Sequence, residues 1–388
     1  MSNKDLSIYI HYPFCKSKCP YCDFNSHVRD QVNYDQFLES YEKELEFFYN
    51  KTDHNKVKTI FFGGGTPSLM PISLVDGILK KISQLWQIDE NCEITLEANP
   101  TSSESAKFKD LKNIGINRLS IGIQALDDKD LKFLGREHSS LEAIHTIENA
   151  AKTFDNFSFD LIYARPNQSL QKWEKELETA INFGTKHLSL YQLTIEKGTK
   201  FFSQFSRGEF QMPDENLAAE FYDLTNEITA KSGFENYEIS NYCRQNYSCK
   251  HNLVYWQGGD YIGIGAGAHS RVYFKSKTER KAIFMIHEPN LWLKKVSEKC
   301  VGIQKIEKIS ETELLEELIL MGLRLNQGID DHIFLNHFNK NLKELIDFDK
   351  LKNLKEQGYL EVAANNIKIT KQGRILTNSI IKEVLKYV

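Results

Sequence analysis

The chain is 388 residues long, 41% hydrophobic and 26% charged, the balance of a globular protein large enough for more than one packed core, since single cores stop growing at about 250–300 residues. A net charge of -4 gives no electrostatic case for a polyanionic partner. The opening "MSNKDLSIYIHYPF" has neither the basic start nor the apolar core of a secretory signal, and no run approaches the ~20 apolar residues of a membrane span. The cytoplasm is the expected location, and there the seven cysteines are free thiols suited to metal binding or catalysis.

In chain order, "SIYIHY" (7–12), "TIFFG" (59–63), "EITLEA" (93–98), "RLSIGIQ" (118–124), "SFDLIYA" (158–164) and "HLSLYQL" (187–193) gather β-branched, leucine and aromatic residues between turn signals and read as strands. The stretches 34–50, 71–86, 139–154 and 169–184 carry apolar residues at helical spacing. Pro71 suits a first helical position and Gly184 a helix stop. Strand and helix alternating six times predict a parallel α/β sheet with right-handed crossovers, as an incomplete barrel or an open sheet. The chemistry then belongs at the C-terminal ends of the strands.

Residues 195–300 are predicted to hold a helix over 213–233 and strand-like pieces near "YEIS" and "SRVYFK". From about 300 the pattern changes: a capping box at Ser310 and Glu313 opens a helix that closes at Gly328. After it come helix, short strand, Asn-Asn turn, strand and helix, an order that suits a winged-helix module. Thirteen Lys/Arg against thirteen Asp/Glu in 300–388 lack the positive excess of a DNA-binding module, so no nucleic acid is expected. The chain divides into 1–200, an extension 201–299, and 300–388.

The stretch "HYPFCKSKCPYCDFNSH" (11–27) places Cys15, Cys19 and Cys22 in the loop after the first strand. Thiols this close converge on one small centre. Structural zinc wants a fourth ligand, for which His11 or His27 is available, whereas a cubane iron-sulfur cluster held by three thiolates leaves one iron for a non-protein ligand. Spacing alone leaves both open.

C-x3-C-x2-C at this place, with Tyr21 as the aromatic before the last cysteine, resembles the signature of the radical S-adenosylmethionine superfamily. The resemblance implies a six-unit (βα)6 partial TIM-type barrel and a [4Fe-4S] cluster on Cys15, Cys19 and Cys22. It further implies S-adenosylmethionine chelating the fourth iron, where an electron from the cluster cleaves the sulfonium.

"FFGGGTPS" (61–68) lacks the Lys and Ser/Thr of a P-loop. Its glycines permit a tight turn or close approach to a ligand, and the resemblance makes Gly64, Gly65 and Thr66 the site for the methionine amine. Glu97, Gln124, Arg136 and Asp160 lie at or just past strands three to five, where a charged group is costly to bury without a partner. The resemblance assigns all four, with Tyr9 and Tyr21, to cofactor contacts.

"GIGAGA" (263–268) is not a dinucleotide site, because a strand rather than a helix follows; its glycines permit tight packing. "HNLVYW" (251–256) offers His251, which by itself reads as a packed histidine and by resemblance as a haem contact. The match is strongest to a haem-chaperone subgroup of the coproporphyrinogen dehydrogenase branch. True dehydrogenases extend the cysteine signature to C-x2-C-x-C, where this chain has Phe24, and carry a longer segment before it. "DLIYARPNQ" (160–168) departs from the usual "DLIYGLPGQ", and Arg165 is expected to alter the charge of the pocket.

The expected protein binds a [4Fe-4S] cluster, S-adenosylmethionine and haem as cargo, and delivers haem to acceptor apoproteins, membrane-bound ones included, with an electron donor if it is redox-active. The alternatives are an oxygen-independent coproporphyrinogen III dehydrogenase and a zinc-stabilised winged-helix binding protein.

Overall fold

The computed structural model describes residues 5–29, 31–54, 56–275 and 279–387. All six expected strands are present: β1 (Asp5–Tyr12), β2 (Lys56–Gly64), β3 (Gln87–Ala98), β4 (Arg118–Gln124), β5 (Phe157–Tyr163) and β6 (His187–Gln192). They lie side by side in chain order and are mutually parallel. The helices α1 (Tyr34–Lys51), α2 (Ile72–Leu85), α3 (Ser140–Thr153) and α4 (Leu170–Asn182) make crossovers between them. Pro71 is the cap before α2 rather than its first residue, and Gly184 adopts the left-handed φ of 75° that ends α4.

The sheet is wider than the six strands. On the free edge of β1 lies a further parallel strand, β7 (Tyr261–Ile264), followed by the antiparallel β8 (His269–Tyr273), β9 (Arg280–Met285) and β10 (Ile303–Lys308). Beyond β6 the short antiparallel strands Asn241–Cys243 and Glu235–Asn236 complete a twelve-stranded mixed sheet. "YEIS" is therefore the turn between two strands and not itself a strand. The predicted 213–233 helix is α5 (Glu215–Lys231), and the helices after it include α6 (Lys250–Trp256), α7 (Pro289–Lys299) and α8 (Glu311–Gly322).

Alternation along the parallel strands sorts side chains by face. Ile8, Ile10, Ile60, Phe62, Leu96, Ile121, Phe159, Leu161, Leu188 and Leu190 are buried in the main core. The intervening positions are largely polar: Tyr9 and His11, Thr59, Glu93, Thr95 and Glu97, Arg118, Ser158 and Asp160, His187 and Ser189. Residues 201–299 contribute to this same core, through Phe221, Tyr242, Ile262 and Trp292 among others.

The C-terminal residues build a second core from Leu318, Ile319, Phe334, Ile367 and Ile380, around a sheet of Ile329–Asp330, Asn366–Ile369 and Leu360–Val362. Both hydrogen bonds of the Ser310–Glu313 capping box form. Helix α8 ends at Gly322, short of the predicted stop. Gly328, with a φ of 74°, instead turns the chain where an added Cβ would lie 2.2 Å from the Ile367 carbonyl. Among the described residues no helix is long and apolar enough to cross a membrane.

Candidate cofactor site

The cysteine loop leaves β1 through Phe14–Cys15, which pairs with His27–Val28. Cys15, Cys19 and Cys22 are half-buried free thiols. The loop is fixed on every side. Gly65 and Thr66 donate their N–H groups to the Tyr12 and Phe14 carbonyls at 2.7 and 2.8 Å, and the Pro20 carbonyl accepts from Phe201 N–H at 2.8 Å. Asn25 Nδ2 donates to the carbonyls of Ala266 and His287, each at 3.0 Å.

Two of the sulfurs are joined by a chain of side chains. Thr66 Oγ1 donates to Cys15 Sγ at 3.4 Å and accepts from Asn99 Nδ2 at 3.0 Å. Asn99 Oδ1 accepts from Arg136 Nη2 at 2.5 Å, and Arg136 Nη1 donates to Cys19 Sγ at 3.3 Å. Hydrogen bonds to sulfur favour its thiolate form, which opposes the upward push that burial gives the Cys15 and Cys22 thiols. Asn99 went unnoticed in the sequence; its signal is a polar residue closing an apolar strand just before Pro100.

Tyr9 OH is 3.0 Å from His11 Nδ1, and His11 Nε2 is 2.9 Å from the Asn25 carbonyl oxygen. With both ring nitrogens engaged, His11 is not poised as a fourth ligand. His27 Nε2 is occupied by Asn25 Oδ1 at 3.1 Å. Among the described residues no three His, Cys, Asp or Glu side chains are arranged around one metal ion. Three soft thiolate donors on one loop, two of them receiving hydrogen bonds, fit an iron-sulfur cluster, whose ligands are spread over several metal ions.

Beside this loop, Glu97 Oε2 accepts from Gly64 N–H at 3.2 Å. Burial first and the Asp160 charge second push Glu97 up to about 8, and burial pushes Asp160 up to about 6 against the Ser189 hydroxyl, Arg118 and Arg136. Such a buried carboxyl pair suits hydroxyl or ammonium groups of a ligand. The glycines serve close packing as well: a Cβ on Gly64 would come within 2.9 Å of the His11 ring, and one on Gly65 within 2.5 Å of the Phe14 carbonyl oxygen. Gln124 closes β4 with a left-handed φ of 72°. Tyr21, its ring 6.3 Å from that of Phe201, sits against Arg136 and Cys19. The structure thus gathers Tyr9, Tyr21, Gly64, Gly65, Thr66, Glu97, Gln124, Arg136 and Asp160 around the strand ends. To these it adds Asn99, Ser189 and the 41% exposed Tyr191, none of which lies in a recognisable motif.

His251 differs from expectation. It lies on α6, 1% exposed, stacked on Phe61 at 5.1 Å, with Nδ1 2.7 Å from Thr59 Oγ1 and Nε2 2.8 Å from Tyr255 OH. Neither ring nitrogen is open to haem iron in this arrangement. Arg165 also departs from expectation: it is 1% exposed and paired with Asp130 at 3.0 Å and with Glu176 at 2.5 Å, so it brings no unmatched charge to the pocket. "GIGAGA" is strand and turn, packed so closely that a Cβ on Gly265 would lie 2.4 Å from the His11 carbonyl oxygen.

The Radical SAM superfamily profile matches residues 9–180, and the HemN C-terminal domain profile residues 309–376. The chain is 36% identical to Radical S-adenosyl methionine domain-containing protein 1, mitochondrial, of Danio rerio, covering 98% of this chain and 87% of the relative. It is 34% identical to heme chaperone HemW of Escherichia coli, covering 97% of each. Coproporphyrinogen III oxidase (HemN) of Escherichia coli, a radical SAM enzyme, superposes with a TM-score of 0.82 over 99% of this chain and 90% of that one, at 20% identity, a likeness of fold. Fold and site together define a radical S-adenosylmethionine protein, a class that implies a [4Fe-4S] cluster and S-adenosylmethionine. Within that class, the chain belongs to the family that includes the HemW heme chaperones and the mitochondrial domain-containing proteins 1.

Proposed function

We propose that the protein is a haem chaperone that binds a [4Fe-4S] cluster, S-adenosylmethionine and haem, and passes haem to acceptor apoproteins, membrane-bound ones included. The observation that carries this reading is identity of 34% across 97% of a relative named as a heme chaperone. Phe24, 61% exposed where the dehydrogenase signature has a further cysteine, supports it.

In this reading Cys15, Cys19 and Cys22 hold the cluster, which when bound supplies the electron for sulfonium cleavage. Gly64, Gly65 and Thr66 receive the methionine amine, and Glu97 and Asp160 receive hydroxyl or ammonium groups. Arg136 and Thr66 steady the sulfurs, and Tyr9, Tyr21 and Gln124 wall the cofactor from water. The six parallel strands form a partial barrel over residues 1–200 that 201–299 extends. Residues 300–388 form a winged-helix-like module, a division supported by their separate core. The proposed place of action is the cytoplasm, with an electron donor required only if the sulfonium is cleaved.

The test is a haem titration of anaerobically reconstituted protein, followed by transfer to an apo-haemoprotein. A Soret band that appears at one equivalent and moves to the acceptor is expected. Incubation with coproporphyrinogen III and a reductant should leave the substrate unchanged, and decarboxylated product would overturn the reading in favour of the dehydrogenase.

A further inference from the structure

Beside the cysteine loop, two short helices, Asp128–Phe133 and Lys200–Ser206, leave a groove of about 390 Å³. Its apolar floor is Pro20, Phe133 and Phe201. The Phe133 and Phe201 rings lie 4.8 Å apart, and Phe201 N–H donates to the Pro20 carbonyl at 2.8 Å. A Cβ added to Gly135 would come within 2.5 Å of Pro20 Cδ, so the loop and the groove wall are packed as one surface.

Around that floor stand the exposed Lys18, Lys132 and Lys200, against one acidic residue, Glu137. Lys18 Nζ donates to the Phe24 carbonyl at 3.4 Å, and among the described residues none of the three ammonium groups is in an ion pair. Glu209, three residues beyond the second helix, is taken up by Arg207 at 2.7 Å. The whole chain carries a net charge of -4, so positive charge drawn here from three separate segments runs against the average of the molecule. Like charges held together repel, and an opposing negative surface relieves that cost.

Position gives the patch its meaning. Lys18 and Pro20 flank Cys19 in the chain. Phe24, on the same loop, and Phe205, on the second helix, are 61% and 42% exposed. Basic groups around exposed aromatic rings suit a transient protein contact, and electron-transfer encounters are of this kind, burying less than about 1,200 Å² and relying on electrostatic steering for speed. The concave shape receives a convex protein surface better than a planar bilayer.

Resting on the reading that Cys15, Cys19 and Cys22 hold an iron-sulfur cluster, we propose that this lysine-rimmed groove is the docking face for an acidic one-electron donor protein. Carboxylates of the donor meet Lys18, Lys132 and Lys200, and its reduced centre comes over Pro20, next in the chain to a ligating sulfur. One electron leaves that centre, oxidising it, and reduces the cluster by way of Cys19. No bond forms or breaks.

The test uses full-length, anaerobically reconstituted protein and a plant-type [2Fe-2S] ferredoxin as the acidic probe. Its Kd is measured by calorimetry, and the rate at which its reduced form bleaches the cluster by stopped flow. The wild-type rate should fall as salt is added. Lys18→Glu/Lys132→Glu/Lys200→Glu should lower the rate and weaken binding at low salt by about 10-fold or more, while photoreduced deazaflavin, a small neutral donor, reduces wild type and variant alike. Lys340→Glu/Lys343→Glu/Lys355→Glu, the same charge change on exposed lysines of the C-terminal module, should keep the wild-type rate and Kd. An unchanged rate and Kd in the first variant, or an equal loss in the second, overturns the docking face and leaves the cluster reading standing. So does wild-type protein that ignores the ferredoxin but binds phosphatidylglycerol vesicles through these lysines. Protein that assembles no cluster overturns the underlying reading as well.

Discussion

Arg165 shows how one residue's meaning depends on neighbours that the sequence does not announce. Beside Asp160 it read as a pocket charge, yet it is tied to Asp130 and to the 8% exposed side chain of Glu176. Arg165→Leu would install the residue usual in the resembling family and strand Glu176 without its cation. We expect a loss of about 3 kcal/mol, read from the urea midpoint, with most of it recovered in Arg165→Leu/Glu176→Gln. Asn99 makes the complementary case: it bridges Thr66 and Arg136 and so links the sulfurs of Cys15 and Cys19. Asn99→Ala should still assemble the cluster but lose iron to a chelator about 10-fold faster, followed by the decay of the iron-sulfur absorbance. The cysteine trio was legible because covalent spacing brings it together. Asn99 was not, because its role exists only where the ends of separate strands meet.

Length and self-sufficiency decided which elements could be read. The long amphipathic helices α1 to α5 fall within two residues of their predicted bounds, since each carries its own apolar stripe and most their own caps. Helix α6, seven residues long, is too short to persist alone. Its first turn is completed by Glu93 of β3, which accepts from Lys250 and His251 N–H at 3.2 and 3.1 Å. Helix α1 hides a comparable device. Glu44, fully buried, accepts from Trp292 Nε1, Gly302 N–H and Gly265 N–H at 2.9, 2.8 and 2.8 Å, joining α1 to α7 and to the turn after β7. Glu44→Ala leaves three buried donors unpaired, and we expect a loss of about 3 kcal/mol or more, measured by equilibrium unfolding, together with faster amide exchange in residues 261–302.

At the scale of the whole molecule, the sheet's centre was predictable and its margins were not. Parallel strands bury an aliphatic face under helices and so announce themselves, whereas Glu235–Asn236 and Asn241–Cys243 are too short to carry a pattern. The interior is polar for its depth, and this makes stability depend on pH in two opposed ways. His11, His138 and His337 are pushed down to about 4, and His251 to about 3, chiefly by burial. The unfolded chain binds more protons than the folded one between about 4 and the ordinary histidine value of 6.5, so stability rises with pH there. Asp160, Glu44 and Glu97 are pushed up to about 6, about 7 and about 8, so from their ordinary values near 4 upward the folded chain keeps protons the unfolded one gives up, and stability falls. Below 6.5 the histidines outnumber the carboxyls, and above it only the carboxyls act. Cofactor-free protein should therefore be most stable near pH 6.5, and a urea midpoint that keeps rising toward pH 8 would contradict this balance.

Asn25 has a consequence for biosynthesis. Its amide grips the carbonyls of Ala266 and His287, so the segment bearing the thiols emerges from the ribosome long before the residues that lock it have been translated. Metal loading of a nascent chain would meet an unfastened loop until His287 has been translated.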